Sequence, residues 1–163
     1  MNIVPVVDIP IGQDVPLDNL FKVYDVCKQL QALCEQEHGV GIAAVQAGIP
    51  WKLFLVRFPD GNFGYFLNCD FESVGEENIL HIEGCLSLRN SKGKLRTFEV
   101  ERHAHIKVSG LQLVRKENDL VAEPLTDYFV DGFSAAVFQH EIEHQKGILI
   151  SDIGKEIEIS KVE

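Results

Sequence analysis

The sequence lacks any hydrophobic run of the roughly 20 residues that a membrane-spanning helix needs. Residues 1–10 also lack the basic segment, apolar run and small-residue cleavage site of a secretory signal. We therefore expect a cytoplasmic protein without a membrane partner. Positive charge is scarce, because 15 Lys and Arg residues are outnumbered by 25 Asp and Glu residues, giving a net charge of −10. That balance repels nucleic acid, and the basic cluster of Arg89, Lys92, Lys94 and Arg96 is typical of a solvated loop.

Internal repeats, low-complexity tracts and linkers are absent from the sequence. A length of 163 residues therefore predicts a single domain, residues 1–163, with a sizeable core. The four cysteines do not indicate disulfides in a cytoplasmic chain of this size. Cys27 and Cys34 share one face of a predicted helix and Cys69 follows an apolar strand, so we expect all three in the core. Only Cys85 lies among residues that suggest chemistry.

The periodicity of apolar residues predicts an α+β fold. A first helix is expected to start near Asp18 and to be ended by Gly39. A second is expected to begin at Asp131 as N-cap and to end at Lys146, with Gly147 in the left-handed conformation. Strands are predicted at residues 53–56, 65–67, 97–100, 105–108, 111–114 and 120–122, with a last strand at 147–150. These elements predict largely antiparallel sheets packed around the central second helix, with the first as an N-terminal helix.

The strongest chemical signal is Gln-His-Glu-Ile-Glu-His at residues 139–144. His140 and His144 are four residues apart, so both imidazoles lie on one helix face and can bind the same cation. Glu141 is rotated by about 100° from His140 and lies where a general base is needed. The alternative is a surface helix that matches the pattern by chance. The segment therefore predicts a metal-binding helix.

A catalytic cation of this kind usually has three protein ligands and an open position. In zinc endopeptidases of the His-Glu-x-x-His type the third ligand follows the second histidine, and this alternative has as its candidates Asp152, Glu156 and Glu158. The better candidate lies upstream at Cys85, because a thiolate is a strong ligand for such an ion. A buried structural cysteine is the alternative for Cys85, but the neighbouring Gly84 allows a backbone or substrate to approach closely. A non-catalytic, metal-stabilised domain is a third interpretation, which leaves the intervening glutamate without a role.

Three segments together resemble the peptide deformylase family. Residues 39–46, Gly-Val-Gly-Ile-Ala-Ala-Val-Gln, are similar to its first motif, and residues 83–87, Glu-Gly-Cys-Leu-Ser, match its second at every position. Residues 139–147 are similar to its third, with Glu143 in place of the usual Asp and Gln145 in place of the usual Leu. The short stretch after the third motif resembles phage- or organelle-like short forms that lack a long C-terminal helix.

The resemblance implies metal-dependent removal of the N-formyl group from the N-terminal formylmethionine of nascent polypeptides, with release of formate. It implies one divalent ion, Fe²⁺ natively with Zn²⁺, Ni²⁺ or Co²⁺ as substitutes, and a bound water as nucleophile. The implied ligands are Cys85, His140 and His144. Glu141 would act as general base and acid, while the Gln46 side chain and the Leu86 backbone N–H would bind the oxyanion. In isolation, Gln46 could equally cap a turn.

Substrate contacts are also expected. The predicted substrate-binding residues are Val40, Gly41, Gly84, Phe133, Ala136 and Val137. The apolar members would form the methionine pocket, although the helix residues could instead belong to the core. The glycines would let the nascent backbone lie alongside like an added strand. The candidates for a substrate-contacting cation are Lys92, Arg96 and Arg102. The implied partners are N-formylmethionyl nascent peptides, met in transient proximity to the ribosome.

Overall fold

The computed structural model describes residues 1–158, and in this part of the chain there are two β-sheets and three α-helices. The helices are α1 (Leu20–Gln36), α2 (Gly132–Gln145) and α3 (Ile150–Ile153), with 3₁₀ turns at Val6–Asp8 and Ala44–Ala47. The strands are β1 (Gly41–Ala43), β2 (Leu53–Arg57), β3 (Phe63–Ser73), β4 (Asn78–Arg89), β5 (Leu95–His103), β6 (His105–Lys116), β7 (Asp119–Pro124), β8 (Tyr128–Asp131) and β9 (Lys155–Ile157). No helix among the described residues is long and apolar enough to span a bilayer.

The two sheets enclose α2. The larger sheet has the order β1-β2-β3-β6-β7, with β8 also paired to β6, and the smaller has the order β4-β5-β9. Every pairing between these strands is antiparallel. Helix α2 contacts strands of both sheets, whereas α1 packs on the larger sheet. The predicted α+β class, with antiparallel sheets around a central helix, is confirmed.

Helix α1 is amphipathic, and one face of it enters the core. Its buried side chains are Val23, Cys27, Leu30, Leu33 and Cys34. Burial raises the pKa of the Cys27 thiol to about 12, so this cysteine is an inert core residue as predicted. The helix starts later than expected, because the Asn19 side chain accepts a hydrogen bond from the Lys22 N–H and caps it. It ends at Gln36, and His38, just before the expected terminator Gly39, takes the left-handed conformation (φ 56°).

Aromatic packing fixes helix α2 in place. The ring of Phe138 is fully buried, and its centroid lies 4.8 Å from that of Phe66 and 5.7 Å from that of Phe54. The neighbouring Gln139 amide bonds both backbone groups of His103, accepting from N at 3.0 Å and donating to O at 2.9 Å. These contacts set the rotation of α2, so that positions 140, 141 and 144 are turned towards the smaller sheet.

Three features differ from the sequence prediction. Residues 147–150 do not form a strand; the chain instead makes the short helix α3, because the Asp152 carboxylate accepts a hydrogen bond from the Leu149 N–H at 2.8 Å and caps its first turn. The last strand is β9, which pairs with β5. The two strands predicted on either side of Gly110 form one continuous strand, β6, and Gly110 lies within it with a φ of 124°. Strand β8 and most of β4 were not predicted.

A histidine links the start of α2 to two other segments. His105 Nδ1 lies 2.5 Å from Asp131 Oδ1, and its Nε2 lies 3.1 Å from Glu77 Oε2. Asp131 is the N-cap residue, as predicted, but its carboxylate bonds this imidazole and not the helix N–H groups. These hydrogen bonds raise the pKa of His105 above 6.5.

The two ion pairs of His105 predict that the stability of the folded protein depends on pH. Because the raised pKa favours the protonated ring in the folded state, the contribution is full below about pH 6.5 and is lost as the pH rises through the folded-state pKa. We expect His105→Gln to lower the thermal unfolding midpoint more at about pH 5.5 than at about pH 9. Equal losses at the two pH values would contradict this expectation.

Candidate metal centre

The three predicted ligands come together in the structure. Cys85 is on β4, whereas His140 and His144 are on α2, and one potential ligand atom from each lies within 4.8 Å of the others. Cys85 Sγ is 3.4 Å from His144 Nε2, close to the roughly 3.6 Å separation that a tetrahedral ion with bonds of about 2.3 Å to sulfur and about 2.1 Å to nitrogen imposes. The geometry of this donor set therefore fits a divalent transition-metal ion.

Helix α2 carries both imidazoles, and a carboxylate on β4 orients the ring of His140. Nδ1 of His140 lies 2.8 Å from Glu83 Oε1, so this nitrogen carries the proton and donates it to the carboxylate. Nε2 is left with its lone pair available to an ion. The orientation of the ring is thus set by a side chain of β4, the strand that also supplies Cys85.

Glu83 is in turn held by a buried arginine from β5. Arg102 is 2% exposed, and its Nε and Nη2 donate to the two oxygens of Glu83 at 2.8 and 2.7 Å. Its remaining Nη1 bonds Glu143 of α2. Burial alone would raise the pKa of Glu83, but hydrogen bonds from Arg102 and His140 lower it to about 2. The carboxylate therefore stays ionised as the partner of His140.

We expect the loss of Arg102 to be costly to the fold. Arg102→Met would leave the Glu83 carboxylate buried without its counterion, which typically lowers the free energy of unfolding by about 3–5 kcal/mol. Denaturant titration with urea measures this loss. The matched control is Arg96→Met, because Arg96 makes a comparable bidentate pair with Glu156, but at the protein surface. Equal effects of the two substitutions would contradict a buried structural role for Arg102.

Glu141 projects into the same region with a free oxygen. Its side chain is buried, its Oε1 is 3.9 Å from His144 Nε2, and its Oε2 has no hydrogen-bond partner among the described residues. Burial raises the pKa of Glu141 to about 7. A carboxyl of that pKa can both accept and donate a proton near neutral pH. A Cβ at position 41 would lie 2.9 Å from Glu141 Oε2, so Gly41 lets β1 pass close to this carboxylate.

The polypeptide environment by itself gives the two histidines different pKa values. Burial opposes the charge of His140, but hydrogen bonds with Cys85 and Glu83 raise its pKa to about 10. Burial, together with the charge of His140, lowers the pKa of His144 well below its usual value. The rings are only 4.8 Å apart between centroids, so they do not both carry a positive charge. An ion bound by both Nε2 atoms requires both rings to be neutral.

The Gln46 side chain is oriented by its own turn. Its Oε1 accepts a hydrogen bond from the Ala43 N–H at 2.9 Å, so Nε2 is the end that points to Ser87 Oγ, at 3.0 Å, and to Cys85 Sγ, at 3.6 Å. Both interpretations of Gln46 are therefore compatible with the geometry, because its oxygen caps the turn while its nitrogen faces the cluster. The pairing of β4 with β5 is irregular between Gly84 and Arg89, the segment that contains Leu86.

These groups border one cavity of about 230 Å³. Its walls include Val40, Phe133 and Val137, as predicted, together with Gln46, Leu86 and Glu141. Gly41 and Gly84 lie on the strands at either side, β1 and β4. Ala136 is an exception, because it is fully buried and does not line the cavity. The side of α2 that carries Ala136 is turned into the core, so the cavity gives no support to the predicted contact of this residue with substrate.

The sequence of this chain is similar throughout the described part to one family. A family model for polypeptide deformylase matches residues 13–158. The chain belongs to the polypeptide deformylase family. It is 33% identical over 114 residues to the peptide deformylase of Desulforudis audaxviator, covering 70% of this chain and 66% of that relative, slightly less than two thirds of its length. It is 31% identical over 163 residues to that of Desulfosudis oleivorans, covering 93% and 86%.

The fold of this deformylase family member is also found in solved structures. The crystal structure of a class I type b peptide deformylase from Acinetobacter baumannii matches it with a TM-score of 0.73 at 25% identity, over 94% of this chain and 97% of that one. Deformylases are metal-dependent hydrolases, and the cluster of Cys85, His140 and His144 gives this chain a potential metal site.

One departure from the deformylase motifs, and one residue of the basic cluster, have a structural explanation. Glu143, in place of Asp, still reaches Arg102 from α2. Arg89, which follows Leu88, bonds Glu37 at 2.9 Å and the carbonyl of Gly93, so it ties the β4–β5 hairpin to the end of α1.

Several predicted roles are not supported by the positions of the residues. Arg102 is buried in its ion pairs and does not line the cavity, and neither do Lys92 and Arg96. None of the downstream carboxylates Asp152, Glu156 and Glu158 joins the cluster within the described residues. The described residues therefore do not support the third ligand that a zinc endopeptidase would need after His144.

Sequence reasoning also missed several cavity residues, among them His81, and the role of Glu83. His81, Glu83 and Cys85 alternate along β4, so all three side chains point to the same side of the sheet. The segment 81–85 read as a strand would have grouped them, but Glu83 and Gly84 within it obscured the apolar alternation.

Proposed function

We propose that this chain hydrolyses the N-formyl group of N-terminal formylmethionine, releasing formate and a free amine. The observation that carries the proposal is the convergence of a thiol and two imidazoles beside the partnerless carboxylate oxygen of Glu141. Membership of the polypeptide deformylase family supports it. The peptide deformylases of Desulforudis audaxviator and Desulfosudis oleivorans, which are 33% and 31% identical to this chain, support it further.

Cys85, His140 and His144 would hold one divalent ion, natively Fe²⁺, with Zn²⁺, Ni²⁺ or Co²⁺ as substitutes. When bound, such an ion supplies Lewis acidity that lowers the pKa of water and polarises the formyl oxygen. Mixed sulfur and nitrogen donors suit transition metals of this kind better than Mg²⁺ or Ca²⁺.

Glu141 would carry the proton through the reaction. Its carboxylate takes a proton from the attacking water as the water oxygen bonds to the formyl carbon. As the carbon–nitrogen bond breaks, the same carboxyl returns the proton to the departing methionine nitrogen, and formate leaves with the water oxygen. A pKa near 7 suits both halves of this cycle.

Two donors would stabilise the negative oxygen of the tetrahedral state. The Gln46 Nε2 amide is already directed to the cluster by the bond from the Ala43 N–H to its oxygen. The Leu86 backbone N–H is the second donor, in the irregular part of β4. Each donor of this type contributes about 10²–10³ in rate.

The substrate would bind between β1 and β4. Strand β1 pairs only with β2, and β4 pairs only with β5, so in the described residues each has an unpaired edge beside the cavity. The nascent backbone could add there as a further strand past Gly41 and Gly84. Its methionine side chain would enter between Val40, Phe133 and Val137. We propose that these substrates are newly made chains in the cytoplasm, met close to the ribosome.

A single assay tests the proposal against its rivals. Protein purified without oxygen is analysed for bound metal and incubated with formyl-Met-Ala-Ser and with a longer unformylated peptide. We expect formate from the first and no cleavage of the second. Internal cleavage without formate would instead identify an endopeptidase, and bound metal with neither reaction would identify a non-catalytic metal domain.

A further inference from the structure

His81 is a polar residue that lines the cavity next to the apolar ring of Phe133. It lies on β4, and its side chain is 21% exposed. Its ring centroid is 5.4 Å from that of Phe133, with the planes inclined at 60°. Phe133 is itself 53% exposed although it is a large aromatic residue. The two rings therefore form one aromatic surface on the cavity, reaching across from the strand to the helix.

The ring of His81 is held in a single orientation. Its Nδ1 lies 3.1 Å from Glu83 Oε2 and donates to this carboxylate oxygen. Arg102 donates to both oxygens of Glu83 and holds the carboxylate in place. No hydrogen-bond partner for Nε2 is present among the described residues. One edge of the imidazole thus anchors the ring, and the rest of it is available to what enters the cavity.

The position of the ring indicates contact with a substrate side chain and not with the reacting atoms. Val137 and Phe133 precede His140 on α2 by about one and two turns, or about 5 and 10 Å along the axis. A side chain that leaves the formylated residue and follows this face of α2 moves away from Cys85 and towards the His81–Phe133 surface. If the substrate side chain were a hydrocarbon, an aliphatic residue at position 81 would contact it as well as His81 does. A thioether sulfur gains an additional favourable contact with an aromatic ring about 5 Å away.

We propose that His81 is a specificity-determining residue that favours a thioether over a hydrocarbon chain in the pocket for the formylated residue. This inference rests on the proposed function, because it concerns the side chain of the same substrate. The role of His81 is to offer its anchored ring to the sulfur of methionine, as the second half of the aromatic surface that begins with Phe133.

The test compares two substrates that differ by one atom group, formyl-Met-Ala-Ser and formyl-norleucine-Ala-Ser, in which a methylene replaces the sulfur. The measured quantity is the ratio of their kcat/KM values. We expect His81→Leu to lower this ratio by about 2- to 10-fold, the range that corresponds to a sulfur–aromatic contact, mainly through a higher KM for the methionine substrate. His103→Leu is the matched control, since that side chain does not line the cavity, and it should leave the ratio unchanged.

His81→Asn distinguishes the contribution of the ring from that of its hydrogen bond to Glu83. The asparagine amide can still donate to Glu83 in place of Nδ1, but it presents no ring to the substrate. We expect it to lower the ratio as His81→Leu does. A ratio that stays at the wild-type value in His81→Leu, or that falls in His81→Leu but is restored in His81→Asn, would overturn the proposal; the second result would show that His81 acts only through Glu83. A wild-type protein without formate release would instead refute the proposed function itself.

Discussion

Glu141→Gln should lower kcat for formyl-Met-Ala-Ser by about 10²–10⁴-fold, the usual contribution of a general acid–base residue. The substitution keeps the size and hydrogen-bonding shape of the side chain, but an amide cannot take up the proton of water. Because the carboxylate is not one of the three clustered ligand groups, we expect the metal content of the purified variant to equal that of the wild type. Steady-state formate release and elemental analysis of the same preparation measure the two effects.

Glu72→Gln is the matched control for this prediction. It makes the same chemical change at an exposed position of β3 that is distant in sequence from the three motifs. Its kcat should be close to that of the wild type. If Glu141→Gln retained more than about a tenth of the activity, the proton transfer assigned to Glu141 would have to be carried by another group.

Cys85→Ser should weaken metal binding by more than about 100-fold, beyond the 10–100-fold typical when only a partner of a ligand is lost. A serine hydroxyl keeps its proton near neutral pH and is a poor ligand for the ions that a thiolate binds well. Chelator competition followed by metal analysis measures this affinity. Activity should fall in proportion to the bound ion.

The control for this substitution is Cys69→Ser, another buried thiol replaced by a hydroxyl. Cys69 Sγ already contacts the carbonyl oxygens of Leu67 and Leu111, which can accept the hydrogen bond of a serine. We expect its metal affinity to match that of the wild type. Full metal retention by Cys85→Ser would remove the thiol from the ligand set.

The parts of the site that follow from local spacing could be predicted from the sequence. His140 and His144 share a helix face at any rotation of α2, and the carboxylate between them follows from the same geometry. The thiol was harder, since nothing in the sequence alone brings position 85 to position 144 across the two sheets. The strength of a thiolate as a ligand made Cys85 the better candidate, the joint resemblance of three segments to one family implied the contact, and the 3.4 Å separation agrees with it.

Other parts depend on tertiary packing and could not be predicted. Arg102 was one of three candidates for a substrate-contacting cation, and its ion pairs with Glu83 and Glu143 explain why it is buried instead. Ala136 was assigned to the pocket because position 136 precedes His140 by one turn. The fully buried ring of Phe138, packed on Phe54 and Phe66, rotates that side of α2 into the core. The last apolar run, 147–150, leads into α3 and does not form a strand for a local reason, the capping carboxylate of Asp152.

Strand β5 supplies no ion ligand, yet two of its consecutive residues hold the elements that do. Arg102 joins Glu83 on one side to Glu143 on the other, and the backbone of His103 is bonded at both its groups by Gln139. If β5 separated from α2 in a local opening of the protein, the thiol and the imidazoles would no longer be held at bonding distance from one another. Release of the ion and opening of this strand are therefore one cooperative event, and an ion that binds only the closed arrangement protects β5 in proportion to the logarithm of its concentration.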